Sequence, residues 1–307
     1  MLNIASRRRQ ACVHGGLSMV ELLAALAIAS GLLLLSTTLY LGGKASFRLN
    51  EDKRRLYQDG NYAMILMERD LRQAWFGNVA SAVSPAGTAP ITDFILDDGS
   101  PAQGLRGCEH GFVKPLGPGT KDFSCSPEAG MAAFEVSYRS DDYSDPSSGA
   151  GVDCNGARLA AIAVPPDHPA YMLGPHVTIA RNLYFVATRV GGSANSLYCQ
   201  GNGSAQPVVN NVEDLQLTFG LAAAGDATRH QFLNATQVAA LSDDQRQNWE
   251  RVVRVGLCLQ LRGENNLAID PQRYVDCAGS ARVASDRRLR AVFKRVVTLR
   301  NRAAAMP

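Results

Sequence analysis

The chain has 307 residues, 46% of them apolar and 19% charged, with a formal net charge of +3 at pH 7. That length and apolar content support a folded core and exclude a disordered chain, and 28 Gly without a three-residue period exclude a collagen-like one. Only one apolar run, Leu22 to Leu41, is long enough to cross a bilayer, which excludes a multi-span membrane protein. The charge excess lies in the first 16 residues, where Arg7, Arg8 and Arg9 meet no acid, so net charge carries no argument for a nucleic-acid partner.

Those first residues, MLNIASRRRQACVHGG, are basic and polar, and they run directly into LSMVELLAALAIASGLLLLSTTLYL. Three readings compete. A Sec signal peptide would be cut at a small-x-small site, for which Ala27-Ile28-Ala29 would serve. A signal anchor would keep the run as one membrane helix with the arginines in the cytoplasm. Neither accounts for Glu21, a lone carboxylate that costs roughly 2.5–3.5 kcal/mol inside an apolar membrane helix and less near the interface. Cleavage between Gly16 and Leu17 accounts for it. Leu17 then gains a free α-amine, with an unperturbed pKa of about 7.7–8.0, and Glu21 becomes the fifth residue of the shortened chain. Residues one and five of a helix meet at i, i+4, and the same two charges can also meet between neighbouring helices.

RRRQACVHGG followed by LSMVE resembles the class III leader of type IV pilins and type II secretion pseudopilins. The resemblance implies that a prepilin peptidase cuts after Gly16 and methylates Leu17, and that Glu21 guides assembly. Gly16, Leu17 and Glu21 match the pattern residue by residue. One departure is the proline that kinks many major pilin helices, since the first proline of this chain is Pro85.

After Leu41 charges appear, yet the helical pattern continues. Leu56, Gly60, Ala63, Met67, Leu71 and Ala74 step by three or four, with Glu51, Arg54, Asp59 and Arg69 on the opposite side. The stripe predicts packing against a domain rather than a cofactor site. Gly60 costs about 1 kcal/mol relative to Ala in a helix interior and marks a place for a bend. A helix from Leu17 to Trp75 would reach roughly 89 Å at 1.5 Å per residue, a length that suits a membrane-anchored subunit threading a filament.

Beyond Gly77 short apolar stretches alternate with Gly, Pro, Ser and Asp. FEVSYR (134–139), RLAAIAV (158–164), LYFVAT (183–188) and VEDLQLTFG (212–220) read as strands. In 252–263, Val253, Val255, Leu257, Leu259 and Leu261 alternate with Arg254, Cys258, Gln260 and Arg262, a strand with its apolar side in and its polar side out. Ser242-Asp243-Asp244-Gln245 predicts a capping box opening a short helix through Trp249. LRAVFKRVVTLRN closes the chain as a further strand, and 80–133 reads as an irregular inserted lobe. The expected fold class is α+β: a long N-terminal membrane-anchored helix packed on a C-terminal antiparallel β-sheet domain. Its segments are a leader over 1–16, a transmembrane and filament-core helix over 17–43, an amphipathic continuation over 44–77, and a disulfide-containing β-rich extracytoplasmic domain over 78–307.

Of seven cysteines, Cys12 lies in the leader, and Cys108, Cys125, Cys154, Cys199, Cys258 and Cys277 form an even set, as a three-disulfide exported domain would show. Sequential pairs are expected, because Cys108 and Cys125 bracket a Gly/Pro-rich loop and Cys258 and Cys277 bracket a hairpin. No CxxC and no His at ligand spacing accompany them, so no metal is expected.

VDCNG (152–156), SLYCQGNG (196–203), QPVVNNVEDLQLTFG (206–220), VTLRNR (297–302) and the helix segment LNEDKRRLYQDGNYAMILMERDLRQA resemble the PilW-type minor pilins of type IV pili. WFGN (75–78) departs from that branch by lacking its Gly and Cys. A chain of 307 residues, 16 of them in the leader, is also large for a major pilin, whose lattice repeats one small head, and that favours a low-copy subunit.

Catalytic patterns are missing: there is no HExxH, no GxSxG and no Walker loop, and the five His are scattered. No enzyme activity and no cofactor are expected. SDDYSD (140–145) lacks the spacing and the Glu of an EF-hand loop and reads as a solvated loop. Seven Lys or Arg between Arg287 and Arg302 meet no acid; alternation along a strand makes them a charged edge rather than a DNA-contacting stripe.

The resemblance implies a minor pilin that helps prime pilus assembly near the tip, in twitching motility and adhesion. It would sit in the inner membrane with its C-terminal domain in the periplasm, then in the pilus at the cell surface. Implied partners are prepilin peptidase, other minor and major pilins, the inner-membrane assembly machinery and a tip adhesin; DNA is not among them. A minor pseudopilin of a type II secretion system shares the leader and Glu21. A Sec-exported soluble binding module is the alternative from another class.

Overall fold

The computed structural model describes residues 18–77, 82–83, 90–91, 102–116, 123–140, 151–164, 166, 171, 175–189, 191–223 and 226–303. The chain divides into two units at Asn50 and Glu51. The first unit holds the N-terminal part of helix α1 (Met19–Gln73), a run of Leu, Ala and Ile with no proline to interrupt its hydrogen bonds. Every residue from Ser18 to Arg48 is exposed within the chain.

The second unit holds the rest of α1 and two principal antiparallel sheets, besides two short strand pairs. The first of these pairs is β1 (Ala82–Val83) with β2 (Pro90–Ile91). Sheet I consists of β3 (Leu105–Cys108), β4 (Ala133–Arg139), β5 (Ala161–Ala163), β6 (His176–Thr188), β7 (Asn195–Gln200) and β8 (Ala205–Asn210), in the order β3-β4-β6-β7-β8 with β5 also on β6. Sheet II consists of β9 (Val212–Ala223), β10 (Asp226–Leu233), β11 (Val252–Arg262) and β14 (Arg290–Thr298), in the order β10-β9-β11-β14. Between β11 and β14 lies the second short pair, the hairpin β12 (Arg273–Val275) and β13 (Ala281–Val283). Short helices α2 (Ala235–Ala239), α3 (Gln245–Glu250) and α4 (Arg300–Ala303) complete the chain.

One core joins these elements. Leu56, Ala63, Met64, Met67 and Leu71 of α1 meet Phe134, Val136, Tyr184 and Leu197 of sheet I, and Leu215, Phe219, Leu257 and Leu259 of sheet II. The α+β expectation therefore holds, with a long apolar helix and an antiparallel sheet domain. At its C-terminal end α1 stops on Trp75, whose φ of 66° is unusual for a residue with a side chain. Its backbone N–H donates to Ser137 O at 3.2 Å. Its indole lies on Gly104, where a Cβ would come within 2.0 Å of the ring.

On the other face of sheet I, Phe112, which follows Cys108, packs in one cluster with Leu183 and Phe185 of β6 and Tyr198 of β7. There Glu135 of β4, almost fully buried, is held between Arg106 of β3 at 2.6 Å and Arg181 of β6 at 2.7 Å.

Strands β4, β9, β11 and β14 lie where alternation put them. Other expectations need correction. Strand β6 begins at His176, before LYFVAT, because its polar residues Arg181 and Asn182 find buried partners. Strand β3 is a sheet edge inside the stretch expected to be an irregular lobe. The N-cap of α3 is Asp244, which accepts from Gln247 N, whereas Ser242 donates to the Asn248 side chain. A complete capping box occurs instead at Asn234 and Gln237, opening α2. On β11 the polar side is not solvated: Cys258 and Gln260 are buried beneath the β12–β13 hairpin.

Candidate assembly site and its helix

Residues 19–43 contain one charged side chain, Glu21. The helix opens on Ser18, whose Oγ accepts from Glu21 N at 3.3 Å while Glu21 Oε2 accepts from Ser18 N at 2.9 Å. This is a reciprocal capping box, legible as Ser-Met-Val-Glu and missed by the reading of Glu21 as a lone charge. It also places the carboxylate at the positive end of the helix dipole. Gly16 and Leu17 lie outside the described residues.

The serines and threonines of this stretch satisfy themselves. Ser30, Ser36, Thr37 and Thr38 each donate to a carbonyl three or four residues back. That leaves none of these four hydroxyls in need of water, as a bilayer or a packed helix bundle requires. Large apolar side chains face outward, among them Leu33 and Leu34 at 68% exposure and Leu39 at 74%. A contiguous surface of that kind marks a membrane or protein contact, and the helix is long and apolar enough to cross a membrane.

From Glu51 onward the same helix is amphipathic. Leu56, Gly60, Ala63, Met67, Leu71 and Ala74 are all buried, and Glu51, Arg54, Asp59 and Arg69 are exposed. Gly60 is explained by close approach rather than by a bend, since a Cβ there would lie 2.2 Å from the ring of Phe293 on β14. Two carboxylates share the buried face. Asp52 accepts from Asn265 Nδ2 at 2.9 Å. Asp70, with no exposed surface, accepts from Tyr138 Oη at 3.1 Å, Tyr184 Oη at 2.6 Å and Asn182 Nδ2 at 2.7 Å. Burial pushes the Asp70 carboxyl above the usual carboxylate range, against the pull of these donors and of Arg69. The sequence reading overlooked both acids, although 52 and 70 fall on the period of the apolar stripe.

The six cysteines form Cys108–Cys125, Cys154–Cys199 and Cys258–Cys277. The last fastens the β12–β13 hairpin over sheet II, beside a groove of about 340 Å³ lined by Gln216, Thr218, Gly256 and Lys294. The basic C-terminal segment is largely consumed by the fold. Arg290 is buried and donates to Glu213 and Asp286. Arg295 pairs with Glu68 of α1, and Lys294 donates to Cys277 O at 3.3 Å. Arg290 accordingly holds the Asp286 carboxyl below its ordinary range. Among the described residues no group of three His, Cys, Asp or Glu is placed to hold a metal. Of SDDYSD, only Ser140 lies within the described residues.

Residues 183–301 match the family described as PilW, type IV pilus-assembly protein W. The match runs from within β6 into α4 and takes in all of sheet II. No curated protein matches the chain. Among solved structures, a type IV-like pilin from Thermus thermophilus is similar over 57% of this chain and 82% of its own, at 14% identity and a TM-score of 0.28.

Proposed function

We propose that this chain, whose residues 183–301 match a pilus-assembly family, is a minor pilin of a type IV pilus. Prepilin peptidase cuts it between Gly16 and Leu17 and methylates Leu17, and Glu21 then guides its entry into the filament. The observation that carries this reading is the split character of α1. Residues 51–73 are docked on the chain's own domain, whereas residues 19–43 present apolar side chains and self-satisfied Ser and Thr apart from Glu21 and Tyr40. Such a surface belongs in a bilayer before assembly and among neighbouring helices afterwards. Glu21, capped by Ser18 within the chain, gains a full counter-charge when it meets the α-amine of a neighbouring subunit.

The partners in this reading are prepilin peptidase, the other minor and major pilins, the inner-membrane assembly machinery and a tip adhesin. The domain faces the periplasm first and the cell surface once assembled, with a part in priming the pilus near its tip and hence in twitching motility and adhesion. A minor pseudopilin of a type II secretion system would share the leader and Glu21. The match to a pilus-assembly family favours the pilus, and co-purification with pilus or with secretion subunits separates the two.

The deciding measurement is the N-terminus of the protein taken from its host membrane, read by mass spectrometry. A methylated Leu17 is expected; a chain beginning at Ser30 overturns the reading in favour of a Sec-exported module. In a strain lacking other copies, Glu21→Ala is expected to abolish incorporation and leave the domain folded, whereas normal piliation removes the assembly role of Glu21.

A further inference from the structure

We propose that Asp70 and its three partners form a mechanical clamp, the point at which a pull along α1 enters the domain. Helix α1 continues without a break from Met19 to Gln73, so tension on its N-terminal part reaches residues 51–73 directly. Most of what holds those residues is apolar: Ala63, Met64, Met67 and Leu71, all fully buried. Apolar burial is non-directional, and methionine re-packs easily, so these contacts resist removal of the helix more than its sliding.

Hydrogen bonds behave differently, because they fail once donor and acceptor separate beyond about 3.5 Å. In a dry core no water replaces them during the movement. The Asp70 carboxylate is tied to two adjacent inner strands of sheet I, through Tyr138 on β4 and through Asn182 and Tyr184 on β6. Asn182 extends the path further: its Oδ1 accepts from Cys154 N at 3.1 Å, and Cys154 is covalently joined to Cys199 on β7. One buried carboxylate thus connects the helix, three neighbouring strands and a disulfide. The other polar ties of this helix are weaker candidates. Glu68–Arg295 is partly exposed and therefore screened, and Asp52 meets one side chain, Asn265.

This inference deepens the pilin reading, which supplies the source of the pull. The clamp itself is a property of the domain and is tested without a pilus. Full-length protein in detergent is held by its N-terminal end and its C-terminus in an optical trap, and unfolding rates under load are compared with equilibrium midpoints in denaturant. Three variants are used. Asp70→Leu combined with Tyr138→Phe, Asn182→Leu and Tyr184→Phe replaces the polar cluster by apolar groups. Asp70→Asn keeps the volume but sets an NH₂ among groups that donate. Met67→Ala weakens only the apolar contacts.

The apolar replacement removes the polar cluster but also the acceptor of Cys154 N, and is expected to lower the equilibrium midpoint no more than Met67→Ala does, while unfolding under load becomes at least about tenfold faster, the clamp's directional ties being gone. Met67→Ala is expected to lower the midpoint more than Asp70→Asn does, and Asp70→Asn to unfold faster under load. Rates under load that simply follow the order of the midpoints overturn the proposal. If the fourfold variant does not fold, the comparison of Asp70→Asn with Met67→Ala decides by the same criterion.

Discussion

Between Met19 and Gly43, α1 carries one charge and buries nothing within the chain; between Glu51 and Gln73 it carries ten, and it buries Asp52, Leu56, Gly60, Ala63, Met64, Met67, Asp70 and Leu71. The more polar stretch is the one that packs. Docking on a domain needs an apolar stripe with a matched surface, and the period of three and four supplies it. A helix that is apolar all round has no such direction, and it is buried only by something that surrounds it. One continuous helix therefore serves two environments, and the change from an all-round apolar pattern to a striped one marks the boundary.

Substitutions can break this contrast. The largest effect is expected from Asp70→Ala, which leaves the Tyr138 and Tyr184 hydroxyls without their acceptor and the Asn182 amide with Tyr138 Oη alone. A loss of about 3–5 kcal/mol in domain stability is expected, read by denaturant unfolding, with membrane association through residues 19–43 unchanged. The same variant alters the pH profile. Because the folded-state pKa of Asp70 is raised, the folded chain takes up this proton at higher pH than the unfolded chain does. That contribution favours folding as pH falls toward the ordinary carboxylate value of about 3.9, and it is lost as pH rises through the raised value. Asp70→Ala removes it. Asp286, held low by Arg290, acts in the opposite sense, its contribution being lost as pH falls through the lowered value.

Next in size is a matched pair. Met67→Ala opens space in a fully buried site and is expected to cost about 2–5 kcal/mol. Leu33→Ala, made where the side chain is 68% exposed, is expected to leave domain unfolding unchanged and to weaken retention in the membrane. Equal effects of the two on domain stability would erase the distinction between the stretches. The smallest effect sharpens the contrast by its sign. In an exposed helix Gly→Ala stabilises by about 1 kcal/mol; at Gly60 the added methyl meets the Phe293 ring. Gly60→Ala is therefore expected to destabilise by about 1 kcal/mol or more, as overpacked sites do, in the same denaturant assay.

Much of the architecture was legible because it rests on periodicity. The stripe from Leu56 to Ala74 is buried at every position named for it, and β4, β9, β11 and β14 follow alternating runs. The failures share a cause. Arg181 and Asn182 left the first half of β6 outside the expected strand, and Asp52 and Asp70 were left out of the buried stripe, because a polar residue is compatible with a core only when distant partners satisfy it. Glu135, Tyr138 and Asn265 lie far along the chain from the groups they serve. The polar face of β11 failed for the same reason, since Tyr274 and Cys277 of the β12–β13 hairpin cover Gln260 and Cys258. At the N-terminus the Ser18–Glu21 box was local and legible, and it was passed over because Glu21 was read only for its charge.

By itself the sequence determined the helix, its change of character after the apolar run, the α+β class and most of the strands of sheet II, because each follows from the spacing of apolar residues over a few turns or alternations. Only the tertiary structure decided which charges lie inside and why Gly60 is a glycine. It also decided how the Asp70 carboxylate ties α1 to sheet I. Burying a polar group costs free energy unless its partners are present, and those partners are brought together by the fold rather than by proximity along the chain.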